Sequence, residues 1–127
     1  MNVLLVDDDL NVCLIMKAFL ENLGAEHACE AHNGVQALEL LSAQASPDLI
    51  VVDWYMPEMG GKELILSLRA RKELAETKIL TLTGETSLGT IQEALAAGAD
   101  EYLMKPFTLE MLRDKLSLLG FDVSVPT

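Results

Sequence analysis

The stretch Asp48-Leu-Ile-Val-Val-Asp53-Trp-Tyr-Met-Pro57 constrains the fold of this chain more than any other. Its four unbroken apolar residues, Leu49 to Val52, are too few for a stable helix. They suit a strand buried on both faces, as in a parallel sheet covered by helices. Asp53 stands at the end of that strand, and Pro57 stops the backbone continuing in a regular ladder. An acid at the carboxyl end of a buried parallel strand lies where open α/β sheets bind ligands.

The rest of the chain alternates around this strand. Val3 to Val6 is a short apolar strand ending in Asp7-Asp8-Asp9. Val12, Ile15, Met16, Phe19, Leu20 and Leu23 then recur at helical spacing, with Gly24 as the C-cap. Glu26 to Ala31 is a more polar strand, expected at a sheet edge. Asn33-Gly34 reads as a turn, and Val35, Leu38 and Leu41 mark a second helix ending before Pro47. Gly60-Gly61 precedes a helix carrying Leu64, Ile65 and Leu68. Lys78 to Thr83 is a fourth strand, and Leu88, Ile91, Ala94 and Leu95 mark a fourth helix closed by Gly98. Glu101 to Met104 is a fifth strand, and Leu109, Leu112, Leu116 and Leu119 line a last helix ending at Gly120. The expected organisation is one domain over residues 1–120 and a short frayed tail over 121–127.

Alternating strands and helices mean βαβ units, right-handed crossovers and a parallel sheet. Every strand of such a sheet ends on the same edge. Asp7 and Asp8 follow the first strand, Asp53 ends the third, Thr83 ends the fourth and Lys105 follows the fifth, so residues distant in sequence converge on one crevice. Carboxylates about 4 Å apart repel by about 4 kcal/mol per pair at an effective dielectric of 20, so the cluster calls for a neutralising partner. A hard dication with oxygen ligands fits, and Mg²⁺ fits best because it takes one or two carboxylates and shares a substrate phosphate. A carboxylate can itself be a nucleophile, giving an aspartyl-phosphate, and a lysine and a hydroxyl would contact the phosphate oxygens.

Composition narrows the classes. With 127 residues, 50% of them apolar, the chain builds one core and is not disordered. A net charge of −11 argues against nonspecific nucleic-acid binding and anionic membranes. No apolar run approaches the ~20 residues of a membrane span, and Val3 to Val6 has no preceding Lys or Arg to make it a signal peptide. The expected compartment is the cytoplasm. Cys13 and Cys29 lack metal-ligand spacing and read as small buried hydrophobes.

Leu5-Val-Asp-Asp-Asp9, Asp53-Trp-Tyr-Met-Pro57, Leu82-Thr83-Gly84 and Tyr102-Leu-Met-Lys-Pro-Phe107 together resemble the signature set of response-regulator receiver domains, across essentially the whole chain. The resemblance is closest to the stand-alone, chemotaxis-type receivers. It implies a flavodoxin-like (βα)5 doubly wound fold with a five-stranded parallel sheet in the order 2-1-3-4-5. It further implies that Asp53 accepts a phosphoryl group from a histidine kinase or phosphotransfer protein. Asp8 and Asp53 would ligate Mg²⁺ with the backbone carbonyl of Tyr55, and Asp7 would act through water. Thr83 and Lys105 would bind the phosphoryl oxygens. Thr83 and Tyr102 would switch, and the fourth helix, fifth strand and fifth helix would signal to a downstream protein. Such a receiver catalyses only its own phosphorylation and dephosphorylation, works as a monomer or transient dimer, and neither binds nucleic acid directly nor inserts into a membrane.

Two departures from the family pattern stand out. Gly60-Gly61 replaces the usual Asp-Gly and removes an N-cap from the third helix. Tyr55 and Glu85 flank the acceptor and are expected to tune how readily water reaches its phosphoryl group. Several residues have blander readings. Asp9 reads as a helix cap, His27 and His32 as structural or solvent-facing, and Met16, Met56, Met59, Met104 and Met111 as packing. Trp54 is either core or a fluorescence reporter on the site. Ile91 and Leu95 share a helix face that is either core or a docking surface with Tyr102. The alternative functions are a Mg²⁺-dependent aspartyl-phosphate phosphohydrolase, which this chain's motifs match poorly, the receiver fragment of a longer regulator, and a flavodoxin-like nucleotide binder. The last is disfavoured by the absence of a Gly- or Ser/Thr-rich phosphate loop after the first strand.

Overall fold

Each apolar run identified in the sequence forms a strand, and each amphipathic stretch between them forms a helix. The computed structural model describes residues 1–84 and 88–123. Among them, β1 (Asn2–Val6), β2 (His27–Ala31), β3 (Leu49–Asp53), β4 (Lys78–Thr83) and β5 (Glu101–Met104) build one parallel sheet in the order β2-β1-β3-β4-β5. The helices are α1 (Leu10–Asn22), α2 (Gly34–Ala43), α3 (Gly61–Arg69), α4 (Leu88–Ala97) and α5 (Leu109–Leu118). The sheet order and fold class match the expectation.

The strand pleat sorts the interior into two layers. Leu4, Val6, Ile50, Val52 and Ile79 point to one face and pack with Ala37 of α2, Leu64, Ile65 and Leu68 of α3, and Ala94 and Ala97 of α4. Val3, Leu5, Leu49, Val51, Leu80 and Leu82 point to the other, against Met16 and Leu20 of α1 and Leu112 and Leu116 of α5. All five residues of β3 are buried, which is why that segment carries no polar alternation. Each large aliphatic side chain so buried contributes about 1.5–3 kcal/mol relative to exposure.

Local chemistry sets the helix ends. Asp9 caps α1, its carboxylate accepting from the backbone N–H groups of Asn11 and Val12, as the sequence suggested. Asn33 caps α2 through the N–H of Gln36, so the Asn33-Gly34 turn is a helix start. Gly60 gives α3 no side-chain cap, the expected consequence of the missing Asp. Gly24, Gly98 and Gly120 take positive φ after α1, α4 and α5.

At the sheet's other end Arg69 is a hub that periodicity did not indicate. Its guanidinium donates to the carbonyls of Gly98 at 2.9 Å, Leu74 at 3.1 Å and Thr77 at 3.0 Å, and to Asp100 Oδ2 at 2.6 Å. Asp100 also accepts from the Ile79 N–H at 2.8 Å. The 3-10 turn Lys72–Leu74, unforeseen in the sequence, folds under this network and buries Leu74.

Several burial expectations are corrected. Cys13 is buried but Cys29, on edge strand β2, is exposed, because β2 has a neighbour on one side only. Ile15, Val35 and Leu88 are exposed although they sit on the predicted apolar stripes. In α4 the small Ala94 and Ala97 are buried, which brings the helix close to the sheet and turns Leu88 and Leu95 outward. The start of the expected tail is packed: Phe121 is half-buried and Val123 buried against the α1/α5 layer.

Candidate functional site

The chain passes from β1 to one side of the sheet and then crosses back to β3, so a crevice opens between their carboxyl ends. Asp7 follows β1, Asp53 ends β3, Thr83 ends β4, and Lys105 follows β5. Asp7, Asp53 and Thr83 are buried, while Asp8 is exposed at the mouth. One carboxylate oxygen from each of Asp7, Asp8 and Asp53 lies within 4.8 Å of the others. Lys105 Nζ reaches over them, 3.0 Å from Asp7 Oδ2 and 3.3 Å from Asp53 Oδ1.

Backbone bonds hold each group in place. The Asp7 N–H donates to the Ala31 carbonyl at 3.1 Å, and Asp7 Oδ1 accepts from the Asp9 N–H at 2.9 Å. Lys105 is anchored by its own N–H on the Thr83 carbonyl at 2.8 Å. After Asp53 the loop turns at once: the Trp54 N–H donates to the Leu82 carbonyl, and the Gly61 N–H returns to the Trp54 carbonyl at 3.0 Å. A Cβ at Gly61 would lie 2.7 Å from the Asp53 carbonyl oxygen and from Trp54 Cα. Only glycine lets α3 start this close to the acceptor strand. In the same loop Glu58 adopts φ of 67°, a left-handed conformation costing a non-glycine residue about 1 kcal/mol or more.

The charges are unequally settled. Burial, and then the neighbouring charge of Asp7, push the Asp53 carboxyl up to about 6, against the opposing pull of Lys105 and the Tyr55 backbone N–H. For Lys105, burial opposes the charged form. Its hydrogen bond to Asp7 and the charges of Asp53 and Asp7 outweigh this, so the ammonium is held above its ordinary range. Three acids and one ammonium leave an excess of negative charge facing an all-oxygen donor set. Carboxylates of this kind suit Mg²⁺, Ca²⁺ or Mn²⁺ and not a thiophilic metal.

The remaining candidates are distributed around this centre. The Tyr55 side chain is 54% exposed, while Trp54 is buried. Tyr102 is half-buried on β5, with Lys115 Nζ 4.1 Å from its ring centroid and the same ammonium 3.0 Å from Glu101. That clamp was not legible in the sequence, since Lys115 comes from α5. Ile91 is half-buried and Leu95 is 44% exposed on α4. Glu85 lies outside the described residues. Sequence spacing gave His32 no metal-binding partner, yet the fold supplies two: Glu30 Oε2 at 3.1 Å from His32 Nε2, and Cys13.

Known proteins resemble this chain over nearly its whole length. The family profile described as the response regulator receiver domain matches residues 3–117. Chemotaxis protein CheY1 of Helicobacter pylori strain J99 is 39% identical over 119 residues, covering 94% of this chain and 96% of that protein. The chemotaxis protein CheY homolog of Campylobacter jejuni strain 81-176 is 38% identical over 116 residues, covering 91% and 89%. Among solved structures, the chemotaxis protein CheY4 of Vibrio cholerae superposes with a TM-score of 0.86 at 34% identity, over 93% of this chain and 97% of that one.

Proposed function

The chain belongs to the response regulator receiver family, and from that premise we propose that Asp53 is its phosphoacceptor. One observation carries the reading. The Lys105 ammonium contacts both Asp7 and Asp53 at the point where three carboxylates gather. A salt bridge built only for stability needs one acid, and a second and third buried or adjacent acid would be a cost without a cation or phosphoryl group to serve.

In this reading an Asp53 carboxylate oxygen attacks the phosphorus of a phosphohistidine on a histidine kinase or phosphotransfer protein. The new O–P bond forms as the P–N bond breaks, and the imidazole leaves with the electron pair. Lys105 moves its contact from the ionised carboxylate to a phosphoryl oxygen, and Thr83 donates its hydroxyl to another. Asp8, Asp53 and the Tyr55 carbonyl would hold Mg²⁺, with Asp7 acting through water. When bound, this ion neutralises the clustered acids and the charge developing on the phosphoryl oxygens. Asp7 and Lys105 keep the acceptor oriented, and burial of Asp53 limits water at its rear.

The chain acts as a cytoplasmic switch that catalyses only its own phosphorylation and dephosphorylation. The added charge of about −1.5 to −2 biases a two-state equilibrium at the site, read out by Thr83 and Tyr102. The α4-β5-α5 face, with exposed Leu95 and half-buried Ile91 beside Tyr102, receives the downstream protein. The chemotaxis names of its relatives support a chemotactic output.

The test is acetyl phosphate with Mg²⁺, followed by intact-mass and peptide mapping. The expected result is one phosphoryl group on Asp53, none on the Asp53→Asn protein, and no turnover of p-nitrophenyl phosphate. Labelling of another residue would overturn the assignment.

A further inference from the structure

Outside the acidic crevice the described residues contain one other cluster of metal-binding groups. Cys13 lies on α1, Glu30 in β2, and His32 directly after β2. The thiol sulfur, one carboxylate oxygen and one imidazole nitrogen all fall within 4.8 Å of one another. The His32 Nε2 to Glu30 Oε2 distance is 3.1 Å. Two ligands held about 2.0–2.1 Å from one tetrahedral ion stand about 3.3 Å apart, so this pair is nearly at coordination spacing.

The surroundings fix the three groups. Lys17 Nζ lies 3.5 Å from Glu30 Oε1, which leaves Oε2 facing His32. The His32 backbone N–H donates to Gln36 Oε1 at 2.6 Å, and Ala31 is tied to β1 through the Asp7 N–H. Cys13 is 1% exposed, whereas the Glu30 and His32 side chains are 27% and 42% exposed. The sulfur is therefore the sheltered ligand, and the other two lead out to solvent.

We propose that Cys13, Glu30 and His32 bind one Zn²⁺, with water as the fourth ligand. A thiolate and a carboxylate balance the ion's charge, and the imidazole completes a borderline-soft donor set that disfavours Mg²⁺. As the Zn–S bond forms, the thiol proton leaves to solvent and the ion sheds bound water. The thiol then gives up its weak hydrogen bond to the Asp7 carbonyl, now 3.5 Å long. The two cation sites are thus chemically orthogonal, all-oxygen against sulfur and nitrogen, and linked through the backbone of Asp7.

The test is titration of the full chain with Co²⁺, then Zn²⁺, in excess Mg²⁺ to saturate the acidic crevice. One equivalent of Co²⁺ should give a thiolate-to-cobalt charge-transfer absorption that one equivalent of Zn²⁺ removes. Cys13→Ser should abolish the band, and His32→Ala should weaken binding at least tenfold. Cys29→Ser and Asp8→Asn should leave both unchanged. Absence of saturable binding overturns the proposal, as does a band that depends on Cys29 or Asp8. His32 is partly exposed, so its variant tests the site even where Cys13→Ser does not fold. Binding as tight in His32→Ala as in the parent chain also overturns it.

Discussion

Lys105 Nζ stands 3.0 Å from Asp7 Oδ2 although 98 residues separate them in the chain. Its second contact, 3.3 Å to Asp53, makes this ammonium the bridge between the two buried acids. The contact exists because β1, β3 and β5 run parallel and end on one edge. The bridge also sets what happens when charges there are changed.

The Asp53 carboxyl, pushed up to about 6 chiefly by burial, has a folded-state value above its unfolded one. Its contribution to stability is fully present below about pH 4 and is lost as pH rises through 6. The difference is on the order of 3 kcal/mol. Without divalent ions, the Asp53→Asn protein should therefore gain stability relative to the parent chain as pH goes from 4 to 7. Mg²⁺ should reverse that gain. Urea melts at each pH, compared between the two proteins, measure it; a constant difference across the range would refute the burial and repulsion account.

Removing the bridge should have the opposite sign. Lys105→Met keeps most of the side-chain length but removes the ammonium, leaving Asp7 and Asp53 facing each other. The metal-free protein should lose on the order of 2 kcal/mol, less than the 3–5 kcal/mol typical of fully buried pairs because Lys105 is 26% exposed. Adding Asp53→Asn should recover much of that loss. Additive effects in this double-mutant cycle would show that the two groups are not coupled.

Gly61 makes a purely steric prediction. A methyl group there meets the Asp53 carbonyl and Trp54 backbone at 2.7 Å, and no flexible side chain is available to yield. Gly61→Ala should cost about 1–3 kcal/mol and shift the emission of the buried Trp54. An unchanged spectrum and melting midpoint would mean that α3 does not pack against the acceptor strand as described.

Tyr55 lies two residues after the acceptor and is half-exposed. Its ring should screen the phosphoryl group from water, so Tyr55→Ala should shorten the lifetime of the phosphorylated protein several-fold. Decay of the acyl-phosphate after kinase removal reads this directly, and an unchanged rate would exclude the screening role. The equivalent test at Glu85 concerns a residue outside the described structure.

Much of this molecule was written in its residue order. The buried run Leu49 to Val52, the alternation of strand and helix, and the acids, hydroxyl and lysine at strand ends determined a parallel α/β sheet with one charged crevice. That follows because burial pattern is a local property and because parallel strands all end on the same edge. Tertiary packing decided what periodicity cannot encode. It turned Leu95 outward by burying Ala94 and Ala97, gathered three carbonyls and Asp100 onto Arg69, and brought Cys13 beside Glu30 and His32. It also decided that Asp53 resists ionisation, since a carboxyl's charge state depends on solvent exclusion and on neighbours brought in from distant parts of the chain.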